Sequence, residues 1–549
     1  MRDKVAIEMK RTLIALFAAL LLTSTVPAAA QSSTFNLGRG LDIEYSILKS
    51  LARSYVDTIN YEKMITAGVN AMLETLDPYT VYIPEDATDN FAMMTTGNYG
   101  GCGALIRKRT DGPVIIYEPY ANSPAVKCGL EPGDEIWEID GVSVVGETSD
   151  KATDRMKGQP GTDVKFKVFK GRTRDTVDVV LRRERIHVSS IEYAGILKGD
   201  IGYVYISSFT DKMTIELHRT LESLKAQGAK RLVIDLRDNG GGVMDEAVKM
   251  AALFVPKGTL VVSSKGRDPK MNQEYRTQEE PFDTEIPLLV MVNSASASAS
   301  EIFSGAMQDL DRGTVAGRRT FGKGLIQTVV PTPYNGNVKI TTGKYYIPSG
   351  RCVQAIDYSH RNEDGSVGFV PDSLRKAFKT KNGRTVYDGG GITPDIETKQ
   401  TYYSRPVVAL AYSGVLGDYA LEYYKTHPQI APARDFRLTD AEYDAFVEYA
   451  DGREFDARSA AEAALDNLTQ SATQDGLYEQ FKTEIEALKA KVQIDKRSML
   501  RLKKDEILPL LESEIAVKYY YPGSGRVITL RTDKALDEAV EKWSNPKEQ

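Results

Sequence analysis

The amino-acid sequence predicts an α/β protein of several domains with helical regions at both ends. Its 549 residues exceed what one hydrophobic core organises, and the usual domain size suggests about three to four units. Strand-like and helical apolar segments alternate between residues 190 and 400, an order typical of a mainly parallel sheet covered by helices. Shorter runs separated by Gly and Pro precede this stretch, and helical apolar stripes follow it.

Composition and charge are those of an ordinary globular protein. The 70 basic and 76 acidic residues give a net charge of -6, which offers no electrostatic reason to expect nucleic acid or an anionic membrane as partner. The four histidines are far apart, and no Cys-x-x-Cys or His-Glu-x-x-His occurs, so we predict neither a metal site nor a cofactor. A metal site assembled from distant residues is the alternative. Cys102, Cys128 and Cys352 fit small buried apolar residues better than a disulfide framework, with a Cys102–Cys128 bridge as the alternative.

Residues 1–30 have the pattern of a secretory signal peptide. Lys10 and Arg11 precede an apolar run over residues 13–22, and small residues at positions 28–30 place the cleavage site near Ala30. The run is too short for a comfortable membrane-spanning helix. We therefore expect an exported, periplasmic protein. An uncleaved N-terminal membrane anchor is the alternative, and Met9 is an alternative start to Met1.

Residues 31–96 are predicted to form an N-terminal helical region. Apolar side chains recur at steps of three or four residues from Leu41 to Tyr55 and again from Met64 to Leu76, where the pattern ends at Asp77-Pro78. A helical hairpin of this kind needs a further surface for its apolar face. We expect that surface to be either the main body of the protein or a second subunit.

Residues 97–187 consist of short strand-like runs punctuated by Gly and Pro, with one candidate helix over 148–156. Residues 129–136 read Gly-Leu-Glu-Pro-Gly-Asp-Glu-Ile, and a glycine-rich loop leads into the first strand. This combination resembles a PDZ domain of the protease-associated kind. The resemblance implies that a substrate tail adds to the sheet as an extra strand while backbone N–H groups of the loop bind the terminal carboxylate. The loop consists of Gly100, Gly101, Cys102, Gly103 and Ala104. Taken alone, such a run is equally well explained by a simple turn.

Three segments within residues 188–400 carry the candidate chemistry. The first is the run of alternating Ser and Ala over residues 294–300, between an apolar strand and a helix. A serine in the first turn of a helix lies beside free N–H groups, which can bind the oxyanion formed when its hydroxyl attacks a carbonyl. For the fragment alone, Ser298 and Glu301 also match a capping box, in which Ser298 simply caps its helix.

The second segment is Gly-Lys-Gly at residues 322–324, at the start of an apolar strand. A serine hydroxyl needs a neighbouring base, and no histidine lies in the motif region. The amine of Lys323 is therefore the natural candidate, provided that burial lowers its pKa. Gln327 lies on the same face of an extended segment and is placed to orient the amine. By itself, Gly-Lys-Gly is more often an exposed turn.

The third segment is the Gly240–Gly242 turn between a strand and a helix. It lacks the Gly-Lys-Ser/Thr of a phosphate loop, so a nucleotide site is disfavoured. A glycine N–H at this turn is instead placed to serve as a second oxyanion donor.

Together these segments resemble the carboxyl-terminal processing peptidases, also called tail-specific proteases, over roughly residues 37–400. Besides the PDZ segment, the matching motifs follow one order along the chain: Leu76–Thr80, Leu236–Gly242, Ser296–Glu301, Phe321–Gly324 with Gln327, Tyr346–Arg351 and Gly391–Asp395. The resemblance implies Ser298 as nucleophile, Lys323 as general base and Gln327 as the residue that orients the base. It also implies an oxyanion hole made by the N–H groups of Ala299 and of Gly241 or Gly242. The family often has Pro where this chain has Gly240.

The family's fold implies a catalytic domain over residues 188–400 that is related to crotonase and Clp-type proteases, with the PDZ domain positioned over the active-site tunnel. Residues 361–388 form a loop-rich insertion. The motifs assign no role to the helical region at 401–549, whose clearest pattern is an apolar stripe from Leu477 to Val492.

We therefore expect an exported serine endopeptidase that recognises protein or peptide substrates by their free C-terminal tails and cleaves them through an acyl-enzyme. The terminal helical regions are expected to support a homodimer. The alternatives are a non-catalytic PDZ adaptor that only binds C-terminal peptides, and an acyl-CoA enzyme of the crotonase type. The complete Ser298–Lys323 pair argues against both alternatives.

Overall fold

The computed structural model of the protein describes residues 28–109, 112–400 and 402–545. The predicted signal peptide falls almost entirely on residues 1–27 and so lies outside this described part. The chain divides into two compact units, with the boundary between Thr75 and Leu76. No helix within the described ranges is both long and apolar enough to cross a membrane.

In the described residues of the first unit, from 28 onward, there are two helices, α1 (Ala28–Ser54) and α2 (Tyr61–Glu74). Asn60 caps α2, since its side chain accepts a hydrogen bond from the Lys63 N–H at 3.0 Å. Most of the described large apolar side chains of α1, among them Leu41 and Tyr45, are exposed, and Leu48 and Leu51 are half-buried. Helices form where the apolar periodicity predicts them, and their apolar face is left uncovered by the described residues of this unit.

The second unit opens with strand β1 (Val81–Ile83) and helix α3 (Thr88–Thr96), followed by an antiparallel sheet in the order β3-β4-β5-β7-β8, with β6 paired to β5. Its core is apolar, with Ile116, Ile136 and Phe166 buried at the centre. Strand β2 pairs with β9 where the chain enters and leaves this region. The remaining elements are β2 (Asn98–Gly101), β3 (Ala104–Lys108), β4 (Val114–Pro119), α4 (Pro124–Lys127), β5 (Glu135–Ile139), β6 (Val142–Ser143), α5 (Ser149–Met156), β7 (Asp163–Phe169), β8 (Thr176–Arg182) and β9 (Glu184–His187).

A six-stranded sheet in the order β10-β11-β12-β15-β16-β23 forms the centre of the second unit. All its pairings are parallel except that of β10 with β11. Every residue of Ile201–Ile206 and of Leu288–Val292 is buried, as expected for strands covered on both faces. The α/β prediction is confirmed. The elements are β10 (Ile191–Ile196), β11 (Ile201–Ile206), α6 (Met213–Ala226), β12 (Arg231–Asp235), α7 (Met244–Ala252), β15 (Leu288–Val292), α8 (Ala299–Asp309), β16 (Thr314–Gly317) and β23 (Ile396–Glu397).

A second, antiparallel sheet joins segments that are distant in sequence, in the order β1-β18-β13-β14 with β17 paired to β18. Strand β1, which lies in the stretch predicted to be helical, pairs with the start of β18. Two small hairpins, β19–β20 and β21–β22, follow this sheet. The bounds are β13 (Leu260–Gly266), β14 (Gln273–Arg276), β17 (Leu325–Pro331), β18 (Asn337–Tyr346), β19 (Ile356–Arg361), β20 (Val367–Phe369), β21 (Ala377–Lys379) and β22 (Thr385–Tyr387).

The C-terminal region is helical and contacts both preceding parts of the unit. In its last helix, Leu536 and Ala539 are buried against the parallel sheet. The ammonium group of Lys518 is fully buried against strand β4, 3.2 Å from Glu118 Oε1 and 3.2 Å from the centroid of the Tyr117 ring. The helices are α9 (Arg405–Tyr412), α10 (Val415–Thr426), α11 (Asp440–Asp451), α12 (Ala460–Gln474), α13 (Tyr478–Val492), α14 (Lys496–Leu502), α15 (Lys504–Tyr520), α16 (Gly523–Thr529) and α17 (Lys534–Ser544).

The three cysteines are free thiols, so the Cys102–Cys128 bridge is wrong. Cys102 is buried, as expected of a small apolar residue. Cys128 is exposed, which corrects the expectation that all three are buried, because it ends the short helix α4 at the surface.

A buried arginine ties the segment after β18 to helix α8. Arg351 is only 1% exposed, and its Nη2 lies 2.8 Å from Asp309 Oδ1 and donates to Gln308 Oε1 at 2.7 Å. Asp309 also accepts a hydrogen bond from the Ser349 N–H at 3.0 Å. The Tyr346–Arg351 motif therefore anchors the end of the helix that begins after Ser298.

We predict that Arg351→Met lowers the free energy of unfolding by about 3–5 kcal/mol, because it leaves the Asp309 carboxylate buried without its cation. The matched control is Arg276→Met, whose pair with Glu274 is about half exposed on both sides and whose loss should cost less than about 1 kcal/mol. Urea denaturation followed by far-UV circular dichroism measures both. Equal effects of the two substitutions would contradict the structural role given to Arg351.

Candidate active site

Ser298 lies between the buried strand β15 and the buried helix α8. It is the N-cap residue of α8 and has φ +57° and ψ -113°, a conformation that residues with a Cβ rarely adopt. All 11 residues of α8 are buried, whereas Ser298 itself is half-buried. Ala299 is the first residue of the helix, so its N–H lies ahead of the intrahelical hydrogen bonds. The hydroxyl of Ser298 thus stands at the positive end of a buried helix, on strained backbone.

One carboxylate joins this helix start to the segment that carries Lys323. Glu301 is fully buried, and its Oε2 accepts hydrogen bonds from the Ser298 N–H at 2.9 Å and the Lys323 N–H at 2.8 Å. Its Oε1 accepts from the Gly322 N–H at 2.7 Å and from Thr320 Oγ1 at 2.6 Å. Burial raises the pKa of Glu301, and the four donors oppose that shift. Glu301 therefore reaches back to the N-cap, as a capping box requires, and also fixes the neighbouring loop.

A tyrosine hydroxyl adds a second link between the same two segments. Tyr345 of strand β18 is buried, and its hydroxyl donates to the Lys323 carbonyl at 2.6 Å and lies 3.2 Å from the Ser298 carbonyl, within hydrogen-bond range. The backbones of residues 298 and 323, which are 25 positions apart in the sequence, are thus held side by side by groups from α8 and β18.

The Lys323 amine is partly withdrawn from water. Burial, assisted by the nearby charge of Lys339, lowers its pKa to about 8, against the opposing influence of Glu301 and Asp77. Because an unperturbed lysine has a pKa of about 10.4, this shift makes the neutral amine accessible near neutral pH. The expectation that burial lowers the pKa of this lysine is met. A simple exposed turn lysine does not fit these surroundings.

An aromatic ring forms one wall beside the Lys323 amine. Its Nζ lies 4.3 Å from the centroid of the Tyr79 ring. Asp77 Oδ1 accepts hydrogen bonds from the N–H groups of Tyr79 and Thr80, both at 2.8 Å, and so builds the turn. Thr80 Oγ1 accepts from the Thr341 N–H of strand β18 at 3.1 Å. The first matching motif therefore supplies an anchored wall of this site.

Gln327 lies on strand β17 and is engaged across the sheet. Its Nε2 donates to Thr341 Oγ1 at 3.4 Å, and Thr341 is its partner in the strand register. The register shifts between Ile326 and Gln327, so the simple two-residue alternation that placed Gln327 on the face of Lys323 does not hold there. In the described region no hydrogen bond joins Gln327 to Lys323, and the orienting role stays a prediction.

The glycine turn after strand β12 packs directly against Ser298. A Cβ on Gly241, where φ is +100°, would lie 2.8 Å from the Ser298 Cβ, and a Cβ on Gly242, where φ is +145°, would lie 2.3 Å from the Phe209 carbonyl oxygen. Only glycine fits either position. The Gly241 N–H donates to Asn239 Oδ1 at 2.8 Å. For the Gly242 N–H the described residues offer no acceptor, which leaves it the freer of the two expected oxyanion donors.

The predicted peptide-binding loop is partly used by the fold. Gly100 and Gly101 belong to β2 and pair with β9, whereas Gly103 has φ +74° and its carbonyl accepts from the Tyr120 N–H at 2.9 Å. Cys102 is buried, and its Sγ lies 3.3 Å from the Met156 carbonyl oxygen. Ala104 begins β3, which is the edge strand of its sheet. An edge strand beside this loop leaves room for an added strand.

The arrangement suits acyl transfer. A hydroxyl on strained backbone, an amine of lowered pKa and N–H groups at a helix start and a glycine turn lie on adjoining segments. Among the described residues no hydrogen bond joins the Ser298 hydroxyl to the Lys323 amine. These are the groups that a serine nucleophile, a general base and an oxyanion hole require.

Comparison with known proteins agrees with this chemistry. Family models match three parts of the chain: Peptidase family S41 over residues 200–360, a PDZ domain over 100–181, and the C-terminal helical domain of a probable PDZ-protease over 407–542. A carboxy-terminal-processing protease of Bartonella bacilliformis is 32% identical over 362 residues, which cover 63% of this chain and 81% of the relative. The chain belongs to the carboxy-terminal-processing proteases of peptidase family S41.

Two further proteins are similar to parts of the chain. A probable CtpA-like serine protease of Staphylococcus aureus is 35% identical over 311 residues, which cover 56% of this chain and 61% of that one. The solved structure of a photosystem II D1 C-terminal processing protease is 25% identical, with a TM-score of 0.33 over 64% of this chain and 86% of that chain. The three family models and the two curated relatives show a serine peptidase of family S41 with a PDZ domain and a helical C-terminal region.

Several residues of this S41 site could not be predicted from the sequence. The capping-box pattern identifies Glu301 only as a helix cap, because its contacts to residues 320–323 depend on the tertiary fold. Tyr345 lies in a motif-free part of strand β18. Tyr79 is part of a quoted motif, but nothing in that motif indicates that its ring faces an amine.

We predict that Glu301→Gln destabilises the S41 peptidase and lowers its activity together. The amide nitrogen replaces one acceptor oxygen, so buried N–H groups lose their partner, at a cost of about 1–3 kcal/mol each. Thermal unfolding and kcat measured on the same preparations test this. The control is Glu280→Gln, because that side chain is 80% exposed and its change should leave both quantities within error. An unchanged kcat in Glu301→Gln would contradict the linking role of this carboxylate.

Proposed function

We propose that this S41 peptidase is an exported endopeptidase that cleaves proteins selected by their C-terminal tails, with Ser298 as nucleophile and Lys323 as general base. The observation that carries the proposal is the Glu301 carboxylate, which binds the N–H groups of both residues within 2.9 Å. The lowered pKa of Lys323 supports the same assignment, since a base must be neutral to take a proton.

In the proposed reaction the Ser298 hydroxyl attacks the carbonyl carbon of the scissile peptide bond while Lys323 takes its proton. The negative oxygen of the tetrahedral intermediate is stabilised by the N–H groups of Ala299 and of Gly242 or Gly241. Lys323 then returns the proton to the departing amine as the peptide C–N bond breaks. Water, deprotonated by the same amine, hydrolyses the acyl-enzyme and restores the free hydroxyl. Gln327 is proposed to orient the amine once substrate is bound.

Substrate entry is proposed to use the PDZ domain and a neighbouring cavity. A cavity of about 1160 Å³ lies beside the catalytic loops, lined by Asn293 and Phe321 on one side and Arg526 of the C-terminal region on the other. Its size suits an extended peptide segment. The edge strand β3 and the loop before it are proposed to bind the substrate tail.

The domain division and assembly are proposed on the same basis. We propose a signal peptide at 1–30, an N-terminal helical region at 31–96, a PDZ domain at 97–187, a catalytic domain of crotonase and Clp-protease type at 188–400, and a C-terminal helical region at 401–549. The exposed apolar side chains of α1, and Phe481 and Leu488 on α13, support self-association of the terminal helices. A monomeric mass in solution would contradict a homodimer, and an N-terminus upstream of residue 31 in the exported protein would contradict the cleavage site.

We predict that Ser298→Ala and Lys323→Ala each reduce kcat by at least about 10³-fold, because either change removes a member of a unit that acts together. Cleavage of an unfolded protein with a free C-terminus, followed by mass spectrometry, measures this. Binding of a tail peptide to both variants should equal that of the parent. Parental cleavage by Lys323→Ala would remove the lysine from its role, and cleavage by Ser298→Ala would remove the serine.

The pH dependence of kcat follows from the lowered pKa of Lys323. The base is active when neutral, so kcat should rise about tenfold per pH unit below pH 8 and level off above it. Tail-peptide binding to Ser298→Ala over the same range is the control, and it should not follow this curve. A flat kcat profile between pH 6 and 9 would show that another group acts as base.

A further inference from the structure

The helical C-terminal region reaches the catalytic strand that leads into the glycine turn. Arg237 follows strand β12, and its guanidinium group lies between two carboxylates. On one side, its Nε donates to Asp235 Oδ1 at 2.9 Å. On the other side, its Nη1 and Nη2 donate to Asp533 Oδ1 at 3.1 Å and Asp533 Oδ2 at 2.6 Å. Asp235 and Arg237 lie two residues apart, whereas Asp533 comes from 296 positions further along the chain.

This three-residue contact is well buried. The Arg237 and Asp533 side chains are each 15% exposed, and Asp235 is not exposed at all. The Tyr203 hydroxyl also donates to Asp235 Oδ2 at 2.7 Å. Burial alone would raise the pKa of Asp235, but Arg237 holds it below its ordinary value. A planar guanidinium held by carboxylates on two sides has little freedom to rotate.

The residues that follow Arg237 form the proposed oxyanion turn, and each of them is held by further contacts. The next residue, Asp238, has φ +62° and is held by Asn293, whose Oδ1 accepts from the Asp238 N–H at 3.0 Å. The Asn239 carbonyl accepts from the Ala297 N–H at 3.0 Å. Gly241 and Gly242 then pack against Ser298 and Phe209. Arg237 therefore lies directly before the start of a tightly packed turn.

Asp533 is itself fixed by the helix that it begins. It is the N-cap of α17, and its Oδ1 also accepts from the Leu536 N–H at 3.0 Å. Leu536 and Ala539 of that helix are buried on the parallel sheet. The carboxylate is thus presented from a rigid element, not from a mobile loop.

We propose that Asp533 is a positioning residue for catalysis, through which the C-terminal helical region holds Arg237 and with it the oxyanion turn. The inference rests on the proposed role of that turn in the Ser298 site. It gives the helical region a part in the chemistry that no motif assigns to it. A purely structural ion pair would instead affect only the stability of the folded protein.

The test compares Asp533→Asn with Asp537→Asn in the full-length protein. Asparagine keeps the N-cap acceptor of α17, but it removes the charge and replaces the Oδ2 acceptor that hold Arg237. Asp537 lies on the same helix, and its pair with Lys198 is exposed at both ends (56% and 81%). We expect Asp533→Asn to lower kcat by roughly tenfold or more with KM within about twofold, since loss of a whole oxyanion donor costs about 10²–10³. Asp537→Asn should match the parent.

A second readout separates positioning from stability. A peptide boronate forms a tetrahedral adduct with the nucleophile, so its inhibition constant should weaken in Asp533→Asn by the same factor as kcat. Asp533→Glu, which restores the carboxylate, should recover part of both losses. Parental kcat and boronate affinity in a folded Asp533→Asn protein would overturn the inference, as would a loss of thermal stability alone.

The outcome is also distinguishable from failure of the proposed function. If Ser298→Ala still cleaves substrate, the assignment of the active site fails. If Ser298→Ala is inactive while Asp533→Asn is indistinguishable from the parent, only the role of Asp533 fails.

Discussion

The buried carboxylate of Glu301 is the contact on which the candidate site depends. It lies on the first turn of α8 and accepts four hydrogen bonds, from the N-cap of its own helix and from the loop that carries Lys323. An unpaired carboxylate at this depth would be costly, and so would the buried N–H groups without it. The Glu301 carboxylate and the buried N–H groups therefore each require the other as a hydrogen-bond partner. This mutual requirement fixes the distance between a helix start and a loop that the chain alone would leave free.

The same burial sets the chemistry of the neighbouring amine. Withdrawal from water lowers the pKa of Lys323 to about 8, although Glu301 and Asp77 favour its charged form. Tyr79 shields the amine and also favours the cation through its ring face. Desolvation thus lowers the pKa of Lys323, while two nearby carboxylates and an aromatic ring act in the opposite direction. The result is an amine that changes charge close to neutral pH, which is the property a general base needs.

The order of strands and helices in the parallel sheet could be predicted because the local pattern is strong. Of the strand-like segments predicted between residues 190 and 400, three become the buried strands β11, β12 and β15, and the helix expected after the Ser–Ala run begins at Ala299. The antiparallel sheet could not be predicted in the same way. Strand β18 is mostly half-buried, with polar residues on both faces, and its partners lie far away in sequence. Without that sheet, neither Tyr345 nor the setting of Lys323 is visible in the sequence.

The residues of the site divide in the same way, into those that lie in a local sequence pattern and those that depend on contacts between distant segments. Ser298 and Lys323 could be predicted from the sequence because each lies in a short motif whose residue types indicate its chemistry. The hydrogen bonds from Glu301 to residues 320–323 could not be predicted, since a capping box is a local pattern and these partners lie outside it. The contact of Arg237 with Asp533 spans 296 positions of the sequence, and no sequence pattern predicts it. Gln327 shows the limit of strand alternation, because a register shift intervenes between it and its neighbour.

The central claim is that a neutral Lys323 amine activates Ser298, and labelling of the serine tests it most directly. A fluorophosphonate reacts with an activated serine hydroxyl, and the modified residue can be located by peptide mass spectrometry. The account predicts a single adduct on Ser298, with a labelling rate that rises with pH through about 8 and that is lost in Lys323→Met. An adduct on another residue, or a rate on Ser298 that is unchanged by Lys323→Met, would contradict it.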